Sequence, residues 1–212
     1  MHITQIRLTS FRNFSTVDFY PHKNLNIIYG DNGAGKSSLL EAIHVLGFGR
    51  SFRTSKPDTF VNDHEVCASG YCVFESENKE TKLGFSRSKQ DGYLFSVDGE
   101  KTKKIADIAR MLPVQIFTPQ SSDLILGPPL GRRRYVDWLL FHVEHQFQNI
   151  NGRYNSCLSQ RNALLKQFEY NQADEFKKQD VLLNLLADLG QSITTMRQSY
   201  ISRLNSEISA LY

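Results

Sequence analysis

The sequence predicts a mixed α/β fold with a helical second lobe, and three observations carry that prediction. Short alternating or uniformly apolar runs fill the first thirty residues and return between 66 and 97, as strands do. The pattern G-x-x-x-x-G-K-[ST], filled by Gly30, Asp31, Asn32, Gly33, Ala34, Gly35, Lys36 and Ser37, lies between an apolar run and an amphipathic one. After Gly131 nearly every residue to Tyr212 is compatible with helix, and no proline occurs beyond Pro129.

The elements follow in order. "HITQIRLTSF" alternates, with Ile3, Gln5, Ile6 and Leu8 near a period of two, and "STVDFY" is a second short strand. "NLNIIYG" is more uniformly apolar and reads as a buried third strand. A helix with Leu39, Leu40, Ile43 and Leu46 at helical spacing comes next and stops at Gly47 to Gly49. "VCASGYCVFE", "TKLGFSRS" and "YLFSVDG" predict three further strands, with a turn at Asp98-Gly99. A short helix is expected from Lys103 to Met111, then a strand in "PVQIFT" and an irregular hinge from Leu124 to Pro129, where two prolines and a glycine oppose regular structure. Leu182, Leu186, Leu189, Ile193, Met196 and Tyr200 alternate steps of four and three. This stripe suits a helical hairpin packing on itself, or an intermolecular coiled coil. The expected domains are 1–130, with a β-rich stretch at about 66–98, and a helical lobe at 131–212.

Composition sets limits on function. A net charge of +3 does not announce a nucleic-acid binder, so such a site must be a local patch. Three cysteines give no complete pairing and suit a reducing compartment. Cys67 and Cys72 stand five apart on a predicted strand and read as buried strand residues. The N-terminus alternates and lacks the apolar core of a signal peptide, and no run approaches a membrane span. The expected location is the cytoplasm.

The glycine-rich pattern carries the chemistry. Glycines at 30, 33 and 35 allow backbone conformations that a side chain would block, so that N–H groups converge as an anion nest. The helix that begins near Lys36 adds its positive end. The Lys36 ammonium reaches the outer phosphates of a nucleotide, the Ser37 hydroxyl suits Mg²⁺, and Ser38 adds a phosphate contact. The expected ligands are ATP and Mg²⁺.

Order along the chain narrows the class. Two strands precede the loop and a β-rich stretch follows its helix, an arrangement that resembles the ABC-type ATPase heads that act on DNA. "LTSFRNF", "GDNGAGKSSLLEAIHVLGFGRSFRT" and "LILGPPLGRRRYVDW" together resemble the RecF family of bacterial recombination proteins. That resemblance implies an ATPase head lobe acting in recombinational repair and replication-fork recovery. It further implies ATP-dependent DNA binding, a homodimer with two ATP molecules between heads, and RecO and RecR as partners in loading the RecA recombinase. Arg12 and Asn13 match the family's nucleotide-side "RN"; read from the residues alone they are equally a polar strand end. Gln115 stands where related ATPases carry a sensor of Mg²⁺ and water, or is an ordinary edge-strand glutamine.

Two family elements are missing. No apolar strand ends in the acid pair that hydrolysis needs, since "LLNLLADLG" has helical spacing. "CLSQRN" around Ser159 lacks the glycine of the family's signature segment. The apolar stripe is still running at Tyr212, so the chain is expected to be an N-terminal portion that by itself binds nucleotide poorly and hydrolyses almost none. A small P-loop kinase, with "GRRR" as a lid, and a nucleotide-binding interaction module without turnover remain as alternatives.

Three basic groups are candidates for DNA: Arg50, Arg53 and Lys56; Lys101, Lys103 and Lys104; and Arg132, Arg133 and Arg134. The first is preferred because it leaves the cradle helix. Arg132 and Arg133 suit the nucleotide or a dimer face as well. No aromatic ladder alternates with these groups, so base stacking is not suggested. His142 and His145, three apart on a predicted helix face, suit a zinc pair only if a third ligand exists, and read as surface histidines.

Overall fold

β1 (His2–Phe11) turns back on β2 (Phe14–Phe19) through Arg12, whose φ of 54° lies in the left-handed region. β1 also pairs with β3 (Cys67–Ser76), and β4 (Lys79–Ser88), β5 (Gly92–Val97) and β6 (Glu100–Thr102) extend the same sheet. The order is β2-β1-β3-β4-β5-β6 and every pairing is antiparallel. The β-rich stretch therefore continues the N-terminal sheet rather than forming one of its own. This computed structural model describes residues 1–54, 56–62, 64–88, 90, 92–102, 105–167 and 181–211. They fall into two compact units, Met1–Ile116 and Phe117–Tyr212.

Turn chemistry sets the register. Asp98 and Gly99 both have positive φ, as expected of a two-residue hairpin between β5 and β6. Glu77 and Asn78 do the same between β3 and β4, where the sequence shows only a polar break. A bulge between Ile3 and Gln5 inserts one residue against β3. That extra residue lets Ile3 and Ile6 both face the core despite their odd spacing.

α1 (Lys36–Phe48) lays Leu39, Ala42, Val45 and Leu46 on the inner face of the sheet, against a core that includes Ile6, Leu8, Phe11, Phe74, Leu83, Phe85 and Phe95. The helix passes through Gly47 and ends on Gly49, whose φ of 71° closes it with a bond from its N–H to the Val45 carbonyl. α2 (Ile105–Met111) packs beside it. Residues 103 and 104, where this helix was expected to start, lie outside the described residues. Cys72 is buried in β3, and burial pushes its thiol up to about 12. Cys67 is half-buried, and all three cysteines are free.

Four expectations are corrected. "NLNIIYG" takes no regular structure and joins no ladder among the described residues, and Leu25, Ile27 and Tyr29 are 73%, 77% and 89% exposed. "PVQIFT" is likewise unpaired, with Phe117 82% exposed. An apolar run becomes a strand only when another strand satisfies its amides. The hinge is less irregular than expected: α3 (Asp123–Leu126) forms a helical turn, and α4 (Pro129–Val143) starts on Pro129. Proline restricts the residue before it and is well placed at a helix start, so only Gly127 and Pro128 break the path. Finally, His142 and His145 do not share a helix, because α4 ends at Val143 and Glu144 is extended.

In the second unit, α5 (Phe147–Gln167) packs along α6 (Val181–Leu211) as a helical hairpin. Leu140, Phe147 and Ile193 form a buried cluster joined by Tyr154, Met196 and Tyr200, so the apolar stripe of α6 is used within the chain. Arg197 donates twice to the Asp137 carboxylate, at 2.7 and 2.8 Å. The helical expectation for 168–180 lies outside the described residues.

Candidate functional site

The loop from Gly30 to Gly35 is shaped by backbone conformations that its sequence permits. Gly30, Gly33 and Gly35 have φ values of 140°, 86° and 96°. Gly35 is required twice over, because a Cβ there would also stand 2.5 Å from the Phe14 ring. The Ala34 N–H donates to the Asp31 carbonyl at 3.2 Å and tightens the turn. Gly35 is the N-cap of α1 and no side chain caps that end, so the first amides of the helix face the loop. The Lys36 ammonium donates to the Gly30 and Asp31 carbonyls, at 2.8 and 2.7 Å. It is thereby held across the loop.

A cavity of about 690 Å³ opens at this end of α1. Of the residues expected to bind nucleotide, Arg12, Asn13, Asn32, Gly33, Gly35, Lys36, Ser37 and Ser38 line it. Gly30, Asp31 and Ala34 form the loop behind. Gln115 is not among the lining residues; it is exposed on the unpaired segment, where its side-chain amide donates to the Ile116 carbonyl. Thr59, Val61, Asn62 and His64 complete the wall. Nothing in their local sequence marks them. They reach the site because the Arg12 N–H donates to the Phe60 carbonyl at 2.8 Å and the Asn62 N–H to the Ser10 carbonyl at 2.9 Å, which stitch this segment to the end of β1.

Arg12 and Asn13 hold the site from behind. The Asn13 side-chain amide donates to the Gly33 carbonyl at 2.9 Å and ties the β1–β2 bend to the loop. The Arg12 guanidinium donates to both Glu41 oxygens, at 3.0 and 2.7 Å, and to the Thr59 carbonyl at 2.6 Å. Glu41 lies on α1 and is fully buried. It also accepts from the Ser51 hydroxyl and from Arg53 at 3.3 Å. Burial pushes the Glu41 carboxyl up, but the hydrogen bonds of Arg12 and Ser51 and the charges of Arg12 and Arg53 outweigh it and hold the group below the usual carboxylate range. The sequence shows Glu41 only as one residue of "LLEAI"; nothing there says that it anchors two arginines.

The residues expected at DNA divide. Arg53 lines the cradle cavity and also a second cavity beside it, which Arg50 lines too. Lys56 is exposed on the following turn. Arg132 donates to the Ile125 and Gly127 carbonyls, at 3.0 and 2.9 Å, and so braces the break between α3 and α4. Arg133 and Arg134 are exposed on α4, and Lys101 is exposed on β6. Lys103 and Lys104 lie outside the described residues. No helix among the described residues is long and apolar enough to cross a membrane.

The geometry is that of a phosphate-binding loop on an antiparallel-sheet lobe, and comparison with known proteins agrees. The chain is 41% identical over 204 residues to the DNA replication and repair protein RecF of Pseudoalteromonas atlantica, and 44% identical over 165 residues to that of Idiomarina loihiensis. These matches take in 96% and 78% of this chain but 56% and 46% of those proteins, so the chain spans about half the length of the relatives it matches. A solved structure of the recombination mediator protein RecF with ATP superposes with a TM-score of 0.84 at 29% identity, over 99% of this chain and 57% of that one. An SMC ATPase structure at 18% identity and TM-score 0.54 shares the fold. Residues 2–209 match the RecF/RecN/SMC N-terminal domain, and the chain belongs to that family.

Proposed function

We propose that this chain is the nucleotide-binding portion of a RecF-like DNA-repair ATPase, in which ATP binding controls association with DNA. The carrying observation is the cradle: three glycines in left-handed backbone, Lys36 held across the loop and an uncapped helix end, all facing one cavity. The ATP-bound structure of its relative supports ATP as the ligand.

In this reading the loop amides and Lys36 take the phosphates, and Lys36 exchanges two carbonyls for phosphate oxygens. Ser37, a hard oxygen donor at the helix start, fits Mg²⁺, which would neutralise phosphate charge. Arg12 and Asn13 act mainly by position: Asn13 fixes the loop through Gly33, and Arg12 fixes the wall through Glu41 and Thr59. Hydrolysis needs a carboxylate to orient water. Among the described residues the cavity lining supplies none; in this reading the chain by itself binds nucleotide poorly and hydrolyses almost none, and Gln115 acts as a sensor only once other parts of the full-length protein surround it. Arg50, Arg53 and Lys56 hold DNA phosphates, and the homodimer and the RecO and RecR partners belong to the full-length protein.

The test is titration of labelled ATP into the full-length protein. Saturable binding is expected, with at least about a tenfold loss on Lys36→Ala, since a charge-assisted phosphate contact is removed. Absence of saturable binding, or an unchanged Lys36→Ala variant, would overturn the reading.

A further inference from the structure

The helical unit carries two adjoining clefts along α5. The first, of about 350 Å³, lies where α5 meets α4 and α6, and its polar lining is Asp137 of α4, Asn151 and Asn155 of α5, and Thr194 and Arg197 of α6. The second, of about 480 Å³, shares Asn155 and continues along α5 past Ser159 and Asn162 to Lys166. One row of side chains therefore runs through both clefts: Asn151, Asn155 and Ser159 recur at every fourth position of α5.

The row is polar and unused. Among the described residues, the side chains of Asn151, Asn155, Ser159 and Asn162 form no hydrogen bond. An asparagine amide offers a donor and an acceptor side by side, as a peptide unit does. Four residues of helix advance ~6 Å, and two residues of extended chain advance ~6.6 Å. The row thus keeps step with alternate residues of an extended chain, whose N–H and C=O groups on one edge repeat with that period. A helix laid in the clefts would gain nothing from it, because its main-chain groups are already bonded internally. Charge narrows the occupant further. Arg197 and Asp137 are bonded to each other at 2.7 and 2.8 Å, so the first cleft has no net charge. Lys166 is the one charged residue on the described lining of the second. The complement is a chain that is uncharged beside Asn151 and acidic near Lys166.

We propose that this row docks an extended peptide segment of a partner protein, with Asn151, Asn155 and Ser159 bonded to the main chain of alternate peptide residues and an acidic side chain beside Lys166. Main-chain bonds supply the affinity and the two ends supply the selectivity. The Asp137–Arg197 pair holds α6 to α4 and so fixes the wall opposite the row. The segment "CLSQRN", which lacks the glycine of a signature segment, supplies Ser159 and Asn162 and has a use of its own. The inference stands on the helical unit alone and is independent of the ATP and DNA readings.

The test pans a phage-displayed library of linear random peptides against immobilised full-length protein and measures the affinity of the enriched peptides after synthesis. Asn155→Ala should weaken them at least about fivefold, the low end for a hydrogen-bonding partner removed from an interface. Asn155 is exposed, and an unchanged thermal midpoint and ATP affinity verify that the variant is folded. N-methylation of alternate peptide residues should abolish binding in one phase and leave it unchanged in the other, as only an extended chain on one edge requires. Loss in both phases marks a helical peptide and loss in neither marks side-chain recognition; either result overturns the proposal, as does a library without one Asn155-dependent peptide. Lys166→Glu, also at an exposed position, should turn the enriched peptides from acidic to basic at one end, and an unchanged acidic preference would overturn the placement of that end.

Discussion

The six-stranded sheet and the two unpaired segments, 24–29 and 113–116, are made of similar residues and meet different fates. In the sheet, Leu8, Leu83, Phe85 and Phe95 are buried and every strand has a hydrogen-bonded neighbour. In the segments, Leu25, Ile27 and Tyr29 stand in solvent, and only Ile28 and Val114 pack on the core. Apolar, β-prone sequence is not sufficient for a strand, which also needs a partner to satisfy its amides and cover its side chains.

The largest expected effect lies in the sheet. Phe85→Ala removes a ring that packs edge-on against Phe11 at 5.8 Å and should cost about 3–5 kcal/mol in denaturant unfolding. A loss below about 1 kcal/mol would mean that the sheet core is no firmer than the segments. A comparable loss is expected at the polar anchor beneath the cradle. Glu41→Ala leaves Arg12 without its buried partner and should cost about 3–5 kcal/mol. Glu41→Gln should cost less, because it keeps the shape and one acceptor.

Glycine 47 probes how firmly the second segment is held. A Cβ there would strike the Val114 side chain and the Leu112 carbonyl. In an open helix Gly→Ala gains up to ~1 kcal/mol, whereas here overpacking predicts a loss of about 1–3 kcal/mol. A gain would show that residues 112–114 move away freely.

The Glu41 anchor also predicts a pH response. Its carboxyl is held below the ordinary value of 4.5, so the unfolded chain binds the proton more readily than the folded one. The stability it contributes is full above that value and is lost as pH falls through the lower, folded value. Thermal melts across acid pH should show this fall in the parent and a shallower one in Glu41→Gln. The smallest effect is expected at Ile27→Ala, within about 0.5 kcal/mol in this chain, since the side chain is 77% exposed. A core-sized loss there would break the comparison outright.

Much of the fold was legible because its signals are local. The alternation of β1, the Asp98-Gly99 turn, the glycine loop and the stripe of α6 each lie within a few residues. Less legible was what depends on pairing across the chain. The wall formed by Thr59, Asn62 and His64 depends on backbone bonds to Ser10 and Arg12 some fifty residues away. Only the family resemblance pointed Arg12 and Asn13 toward the nucleotide, and their partners within the chain, Glu41 and Gly33, were not visible in the sequence. Prolines 128 and 129 were read as a hinge, and one of them begins a helix.

By itself the sequence determined the phosphate loop, because glycine freedom, a lysine and a helix start are properties of eight consecutive residues. It also determined the apolar stripe of α6, because periodicity is enough to define an apolar face, though not that the stripe packs on α5. Only the tertiary structure decided which apolar runs become strands, where the buried carboxylate spends its charge, and which residues of α4 and α6 line a cleft with the asparagines of α5. Those outcomes are pairings between distant segments, and a pairing is a property of two places at once that neither one records alone.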